Sequence, residues 1–127
     1  MPIFLTRVQV ERLHDEALRR WGGIEGIGDS GLIDSALASA QNVFWYAHGD
    51  DFDIAAAYAF HIAESQAFLD GNKRTAVAAA LTFLELNGKY RRPDEEGLYR
   101  AMIGVAEKRM NKTDLAAHLR RLGTTSE

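Results

Sequence analysis

The segment QAFLDGNKR occupies residues 66–74 and lies between two alanine-rich segments that are apolar on nearly all sides. A helix that is apolar all round is a buried helix, so the segment is predicted to be the turn that joins two buried helices. Asp70, Gly71 and Asn72 are residue types that tolerate positive φ and close tight turns. Asp70 or Asn72 is also expected to cap the second helix. The helix pair and its turn are predicted to form the centre of the fold.

Two cations follow the turn at a place where positive charge is unfavourable. Lys73 and Arg74 fall in the first turn of the predicted helix, where unpaired backbone N–H groups already make the helix end positive. Each such placement costs about 0.3–1 kcal/mol. A bound anion would remove this penalty, and a helix N-terminus after a glycine turn is a ready phosphate site. An ordinary helix–turn–helix elbow with exposed basic side chains is the alternative interpretation.

The residue types of the turn are suited to binding a nucleotide. Gly71 and Asn72 would present backbone N–H groups to an anion. Arg74 offers a planar fork for two phosphate oxygens, and Lys73 offers a compact positive charge. Asp70 supplies a carboxylate, and Mg²⁺ is usually held by one or two carboxylates together with substrate phosphates. The turn therefore predicts a site for Mg²⁺ and a nucleotide or polyphosphate, with group transfer as its natural use.

Size and composition indicate one small domain. The chain has 127 residues, enough to bury a core of its own, and we predict a single domain over residues 1–127. It contains no cysteine, which excludes disulfides, thiolate metal ligands and a thiol nucleophile and fits a reducing cytoplasm.

Charge and hydropathy argue against nucleic-acid and membrane partners. The 15 basic and 18 acidic residues give a formal net charge of −3, so the general basic surface of nucleic-acid-binding proteins is missing. The N-terminal sequence has no long apolar region of the kind found in secretory signals. The apolar segments are shorter than the ~20 residues that span a bilayer. We predict a cytoplasmic protein that contacts neither membrane nor nucleic acid directly.

Helical periodicity runs through most of the chain, and no segment alternates as a strand does. The first expected helix follows a Thr6–Gln9 capping box and runs to about Trp21, and the second runs from Asp29 or Ser30 to about residue 40. The third runs from an Asp53 cap to about residue 66, and the fourth ends at about residue 86. The fifth runs from Pro93 through residue 105, and the sixth runs from Thr113 to residue 123. The predicted fold class is all-α, with about six helices around the central pair that carries residues 66–74.

Residues 41–53 show neither helical nor alternating periodicity but carry Phe44, Trp45, Tyr46 and Phe52. We expect a surface loop whose aromatic side chains fold back onto the core. A role in recognising a target chain is the alternative.

The segment at residues 66–74 resembles the signature of the Fic/Doc family, H-x-F-x-(D/N)-(A/G)-N-(G/K)-R. Six positions of this chain match it: Phe68, Asp70, Gly71, Asn72, Lys73 and Arg74. Gln66 stands where the family has its histidine. The segments HDEALRRWGG, GLIDSAL and LTFLELNG also look Doc-like, so the similarity covers most of the chain.

The resemblance implies an ATP-dependent transferase. Fic proteins move an adenylyl group from ATP to a target hydroxyl, and the motif histidine acts as general base on that hydroxyl. Lysine before the final arginine, as Lys73 is here, is similar to the Doc branch. Doc transfers the terminal phosphate to elongation factor Tu and arrests translation, and a partner antitoxin, Phd, neutralises it. In Doc-type proteins a flap ahead of the motif helps to align the target, which would place target recognition in residues 41–53.

Carried over to this chain, the family pattern assigns a role to each matching residue. Asp70 would hold Mg²⁺, Gly71 and Asn72 would cradle phosphate, and Lys73 and Arg74 would neutralise its charge. Phe68 would anchor the turn.

Gln66 limits what the resemblance implies. A carboxamide can hydrogen-bond a hydroxyl but cannot take its proton, and loss of a general base typically lowers a rate about 10²–10⁴-fold. A laboratory substitution, a natural member that binds without turnover and a natural variant with another base all remain open. His61, five residues earlier, lies roughly 140° off the face of residue 66 and is interpreted as a core histidine. Asp70 would serve as base only if no metal occupied it.

The same residues are compatible with two other functions. A catalytically silent module that binds nucleotide or antitoxin is one alternative, and an adenylyltransferase is the other. The inhibitory helix of many Fic proteins carries (S/T)-x-x-x-E-(G/N). Glu96 and Gly97 match its end, but Arg92 stands where Ser or Thr is required, so no built-in inhibitor is predicted.

Overall fold

The computed structural model describes residues 1–89 and 94–124, with side chains described as far as residue 121. Six helices lie within these residues: α1 (Arg7–Trp21), α2 (Ser30–Trp45), α3 (Asp51–Ser65), α4 (Asn72–Leu86), α5 (Glu95–Ala106) and α6 (Lys112–Thr124). The described chain contains no strand apart from one isolated antiparallel bridge between Ile27 and Phe68. The predicted all-α class is confirmed.

The helices α3 and α4 form the centre of the fold, as predicted. Both carry fully buried alanines, namely Ala55, Ala56, Ala57 and Ala59 in α3 and Ala76, Ala79 and Ala80 in α4. These small side chains allow the two helices to approach closely. α3 also packs against α2 and α6, and α4 packs against α1 and α5. The turn between α3 and α4 therefore rests on helices that are surrounded by the rest of the core, which gives a site there rigid support.

Helix starts follow local side-chain chemistry, with one correction. The Thr6–Gln9 capping box and the Asp29 cap are present as predicted. The cap of α3 is Asp50 instead of Asp53, and Asp53 is the third helical residue that completes a capping box with it. An aspartate at either position is consistent with the sequence, so the pattern alone could not choose between them.

The prediction of a loop over residues 41–53 is wrong for most of its length. α2 continues through Trp45 and α3 begins at Asp51. The apolar stripe of α2 extends to Phe44, which packs edge-on against Phe4 with ring centroids 6.0 Å apart. Exposed aromatics at Trp45 and Tyr46, 49% and 80% exposed, interrupt the pattern that would have revealed this extension.

The ends of the last two helices agree with the sequence within a few residues. Asp94 caps α5 and accepts a hydrogen bond from the Gly97 N–H at 3.0 Å. Pro93, predicted as the first helical residue, and Arg92 lie outside the described residues. α6 begins one residue before Thr113, after reciprocal hydrogen bonds between Asn111 and Asp114. No helix in the described ranges is both long and apolar enough to cross a bilayer.

Candidate functional site

The turn between α3 and α4 is built on two left-handed residues. Gln66 ends α3 with φ 50° and ψ 46°, and Gly71 precedes α4 with φ 77°. A Cβ atom on Gly71 would lie 3.2 Å from Leu18 Cδ2 and 3.6 Å from the His14 ring of α1. Positive φ and the close approach of α1 therefore both favour glycine at this position.

The predicted side-chain cap of α4 is wrong. Gly71 is the N-cap, and no side chain accepts a hydrogen bond from the helix start. The first backbone hydrogen bond of α4 runs from Thr75 N to Gly71 O. The N–H groups of Asn72, Lys73 and Arg74 thus have no partner among the described residues, which is the arrangement that an anion at a helix N-terminus requires.

Asn72 holds the turn instead of capping the helix. Its Oδ1 accepts a hydrogen bond from Phe68 N at 3.2 Å, and its Nδ2 donates to Phe68 O at 3.0 Å. Phe68 is buried, with 3% of its surface exposed, as expected of an anchor. The Asn72 carboxamide therefore holds the turn with one acceptor and one donor, and the backbone N–H of Asn72 is unpaired among the described residues.

His14 supports the turn from α1, and the sequence did not predict this role. Its buried ring stacks on Phe68 with centroids 3.8 Å apart, and its Nε2 donates to the carbonyl oxygen of Asp70 at 2.8 Å. The sequence does place His14 on the buried face of α1, among Val10, Leu13 and Ala17, and this position could have indicated its role. His14 connects α1 to the turn and has no contact with the cleft described below.

The carboxylate of Asp70 is fixed by backbone donors. Oδ2 accepts from Ile24 N at 3.0 Å and Oδ1 accepts from Gly71 N at 2.9 Å. The Gly71 N–H, which was predicted to cradle phosphate, is therefore already paired within the turn. These hydrogen bonds, first that from Ile24 and then that from Gly71, hold the pKa of Asp70 below its usual value. Asp70 is therefore ionised at neutral pH, which suits a metal ligand better than a general base.

The glycine-rich loop that follows α1 is bound to the turn. Gly28 N and Asp29 N donate to Ala67 O at 2.8 and 3.1 Å, and Leu69 N donates to Gly26 O at 3.1 Å. Residues 41–53, where target recognition was placed, do not line the cleft beside Gln66. The segment that borders the turn is the loop after α1 instead.

Six of the predicted site residues line one open cleft of about 480 Å³: Gln66, Asp70, Gly71, Asn72, Lys73 and Arg74. Phe68, the seventh, lies buried beneath the turn. Lys73 is half-buried and forms no ion pair within the described residues. The structure thus brings together a carboxylate, two cations and unpaired backbone N–H groups.

Arg74 is more constrained than the sequence indicated. Its guanidinium carbon lies 3.7 Å from the ring centroid of Trp21 and 3.6 Å from that of Tyr99. One terminal nitrogen donates to Glu96 at 2.9 Å, and 19% of the side chain is exposed. No sequence signal pointed to Trp21, Tyr99 or Glu96 as its partners. Glu96 therefore binds one edge of the Arg74 guanidinium. The cleft beside Gly71 is nevertheless present.

His61 lies away from the cleft, as the helical rotation predicted. Its Nε2 accepts a hydrogen bond from the Lys112 ammonium at 3.1 Å. Burial, and then the charge of Lys112, lowers the pKa of His61. His61 does not line the cleft, but it is half-buried against α6 and is not the core residue that the sequence suggested.

The residues of the cleft fit a Mg²⁺–nucleotide complex. No group of three or more His, Cys, Asp or Glu side chains in the described ranges could hold a metal ion unaided. Asp70 is the one carboxylate among the described cleft-lining residues, and Mg²⁺ commonly takes a single protein carboxylate with phosphate oxygens and water. The donor set therefore suits a metal that arrives with phosphates.

Fold and site together define an all-α domain whose central helix pair holds a cleft lined by cations and unpaired N–H groups. The family model described as Fic/DOC family matches residues 4–84. The chain is 34% identical to "Protein kinase doc" of Escherichia phage P1 over 116 residues, and this aligned segment covers 91% of each chain. It is 44% identical over 70 residues to "Toxin Doc" of Mycolicibacterium smegmatis, 54% of each chain. The chain belongs to the Fic/DOC family, in its Doc-like branch, which confirms the resemblance.

Proposed function

We propose that this protein is a Doc-type toxin that transfers the terminal phosphate of ATP to a hydroxyl group of a translation factor. The observation that carries the proposal is the convergence of Asp70, Lys73, Arg74 and the three unpaired N–H groups of α4 on the cleft beside Gln66. Such a set can hold a polyphosphate next to a position where a target hydroxyl would lie.

Each residue of the cleft has a distinct part in this reaction. The N–H groups of Asn72, Lys73 and Arg74 and the side chains of Lys73 and Arg74 bind the phosphates and balance their charge. Asp70, kept ionised by its backbone hydrogen bonds, is the residue that would hold Mg²⁺, and the ion would add further charge neutralisation on the phosphates. Phosphoryl transfer depends mainly on such positioning and electrostatic stabilisation.

Gln66 lies exposed at the cleft, where the family resemblance places a general base. Its carboxamide can orient a target hydroxyl by a hydrogen bond but cannot accept the proton. We therefore expect turnover to be slow in this sequence and to rise about 10²–10⁴-fold when histidine is placed at position 66.

The partners and location follow from the Doc-like branch. The names "Toxin Doc" and "Protein kinase doc" of its relatives support a toxin and a kinase. We propose a translation factor similar to elongation factor Tu as the protein substrate and a Phd-like antitoxin as the neutralising partner. Both would act in the cytoplasm.

The test uses the variant Gln66→His with γ-labelled ATP, Mg²⁺ and purified translation factors. Label on a translation factor supports the proposal, and Gln66→Ala serves as the control that lacks both base and carboxamide. A parallel reaction with α-labelled ATP distinguishes adenylyl transfer, which Lys73 disfavours. Absence of label from every protein in both reactions would contradict the enzyme assignment.

A catalytically silent binding module is the second candidate. Asp70 is the one titratable carboxylate among the described residues of the cleft, and its lowered pKa makes it a weak base. The described residues of the cleft then offer no evident group to take the proton. Binding of Mg·ATP in a calorimeter, with no phosphate released or transferred even by Gln66→His, would favour this candidate.

A further inference from the structure

Arg74 contacts two aromatic rings from helices that are distant in sequence. Trp21 is the last residue of α1, and Tyr99 belongs to α5. Their ring centroids lie 3.7 and 3.6 Å from the guanidinium carbon of Arg74, which stands in the first turn of α4. Both rings line the same cleft as Arg74. At these distances a guanidinium makes close cation–π contacts with both rings.

This arrangement restricts how Arg74 can present its donors. A guanidinium is planar, and with two rings within 4 Å of its central carbon it is accessible mainly at its edge. Glu96 takes one terminal nitrogen, at 2.9 Å. The remaining N–H groups of Arg74 have no partner in the described part of the chain. Because Arg74 lines the cleft, these remaining N–H groups are available to a ligand there.

The ion pair between Arg74 and Glu96 adds little to the stability of this arrangement. Glu96 is more than half exposed, and exposed ion pairs contribute little to folding. Trp21 is 45% exposed. Holding a long, rotamer-rich side chain in place before a ligand arrives strengthens binding, because the ligand then does not have to order that side chain. The same idea explains why the site has arginine, since a lysine ammonium has no plane to be held between rings.

We propose that Trp21 and Tyr99 are positioning residues that hold Arg74 edge-on for a phosphate group in the cleft. The inference rests on the proposed function and extends it to two residues outside the motif at positions 66–74. Each acts by limiting the rotation of Arg74.

Calorimetric titration of the full chain with Mg·ATP tests the inference. Tyr99→Leu and Trp21→Leu each remove a ring and are expected to weaken binding about three- to tenfold, as expected for the ordering of one long side chain. Tyr99→Phe is the matched control, because the Tyr99 hydroxyl forms no hydrogen bond with any described residue. This variant keeps the ring and is expected to bind as the unaltered protein does.

A double-mutant cycle separates positioning from a purely structural role. Arg74→Lys is expected to weaken Mg·ATP binding in the unaltered protein and to have much less effect in Tyr99→Leu, since the pre-ordered guanidinium is already lost there. Thermal unfolding of each variant reports folding independently. Equal effects of Arg74→Lys in both backgrounds would overturn the inference.

The outcomes for the inference and for the proposed function are distinct. If the unaltered protein binds Mg·ATP and Tyr99→Leu and Trp21→Leu bind it equally well, the positioning role is overturned and the proposed function stands. If the unaltered protein does not bind Mg·ATP, the proposed function fails and the inference fails with it.

Discussion

The carboxamide of Asn72 forms two hydrogen bonds with the backbone of Phe68, accepting from its N–H at 3.2 Å and donating to its carbonyl at 3.0 Å. These bonds close the turn from which the cleft is built. Asn72 therefore contributes to the site through the shape of the backbone.

Replacing Asn72 by alanine is expected to destabilise the protein by about 1–3 kcal/mol, because two backbone groups of the partly buried turn lose their partners. Denaturant-induced unfolding measures the change. Asn42→Ala is the matched control, since Asn42 is exposed on α2 and its side chain forms no hydrogen bond with described residues. An equal effect of both substitutions would contradict the role of Asn72.

Gly71→Ala is expected to lower both stability and nucleotide binding. Forcing a side chain into positive φ costs about 1–2 kcal/mol, and the new Cβ would also approach Leu18 at 3.2 Å. Gly88→Ala has a similar φ of 72° but meets no atom within 4 Å, so it carries the backbone strain alone. Unfolding and Mg·ATP titration of both variants are the measurements. Loss of ATP binding in Gly88→Ala but not in Gly71→Ala would refute the prediction.

The lowered pKa of Asp70 predicts a pH-dependent contribution to stability. Because the pKa is lower in the folded state than the ordinary value of 3.8, the contribution is present above that value and disappears as pH falls through the folded-state pKa. The difference in unfolding free energy between the unaltered protein and Asp70→Asn should therefore be constant near neutral pH and shrink in acid.

Asp15→Asn is the control for charge in this pH series, since Asp15 is exposed on α1 and accepts no hydrogen bond from a described residue. Unfolding by denaturant between neutral and acidic pH gives both differences. If the Asp70→Asn difference grows as pH falls, the proposed hydrogen-bonding of the carboxylate is wrong.

Trp21 is expected to report ligand binding by fluorescence. The chain has two tryptophans, so Trp21 is the one tryptophan fluorophore left in Trp45→Phe. Mg·ATP should alter its emission, because Arg74 lies against its ring. Trp21→Phe leaves Trp45, which does not line the cleft, and its emission should not respond. A response from Trp45 alone would place the ligand elsewhere.

The helices and the central pair could be predicted because their signals are local. Alanine-rich segments on both sides of residues 66–74 indicate burial, and the Thr6–Gln9 pair indicates a helix start within four residues of sequence. The misses arose where two local signals competed. Exposed aromatics at Trp45 and Tyr46 masked the continuation of α2, and the turn chemistry of Asp70 and Asn72 suggested caps although both side chains serve the turn.

The sequence by itself determined the helical class, the position of the turn and the set of charged residues that line the cleft, since all of these depend on residues close together in the chain. Tertiary structure alone decided which groups surround that set. Ile24 reaches Asp70, His14 supports the turn, and Trp21, Tyr99 and Glu96 enclose Arg74. These contacts join segments far apart in sequence, and they depend on how α1, α4 and α5 pack, which no local pattern encodes.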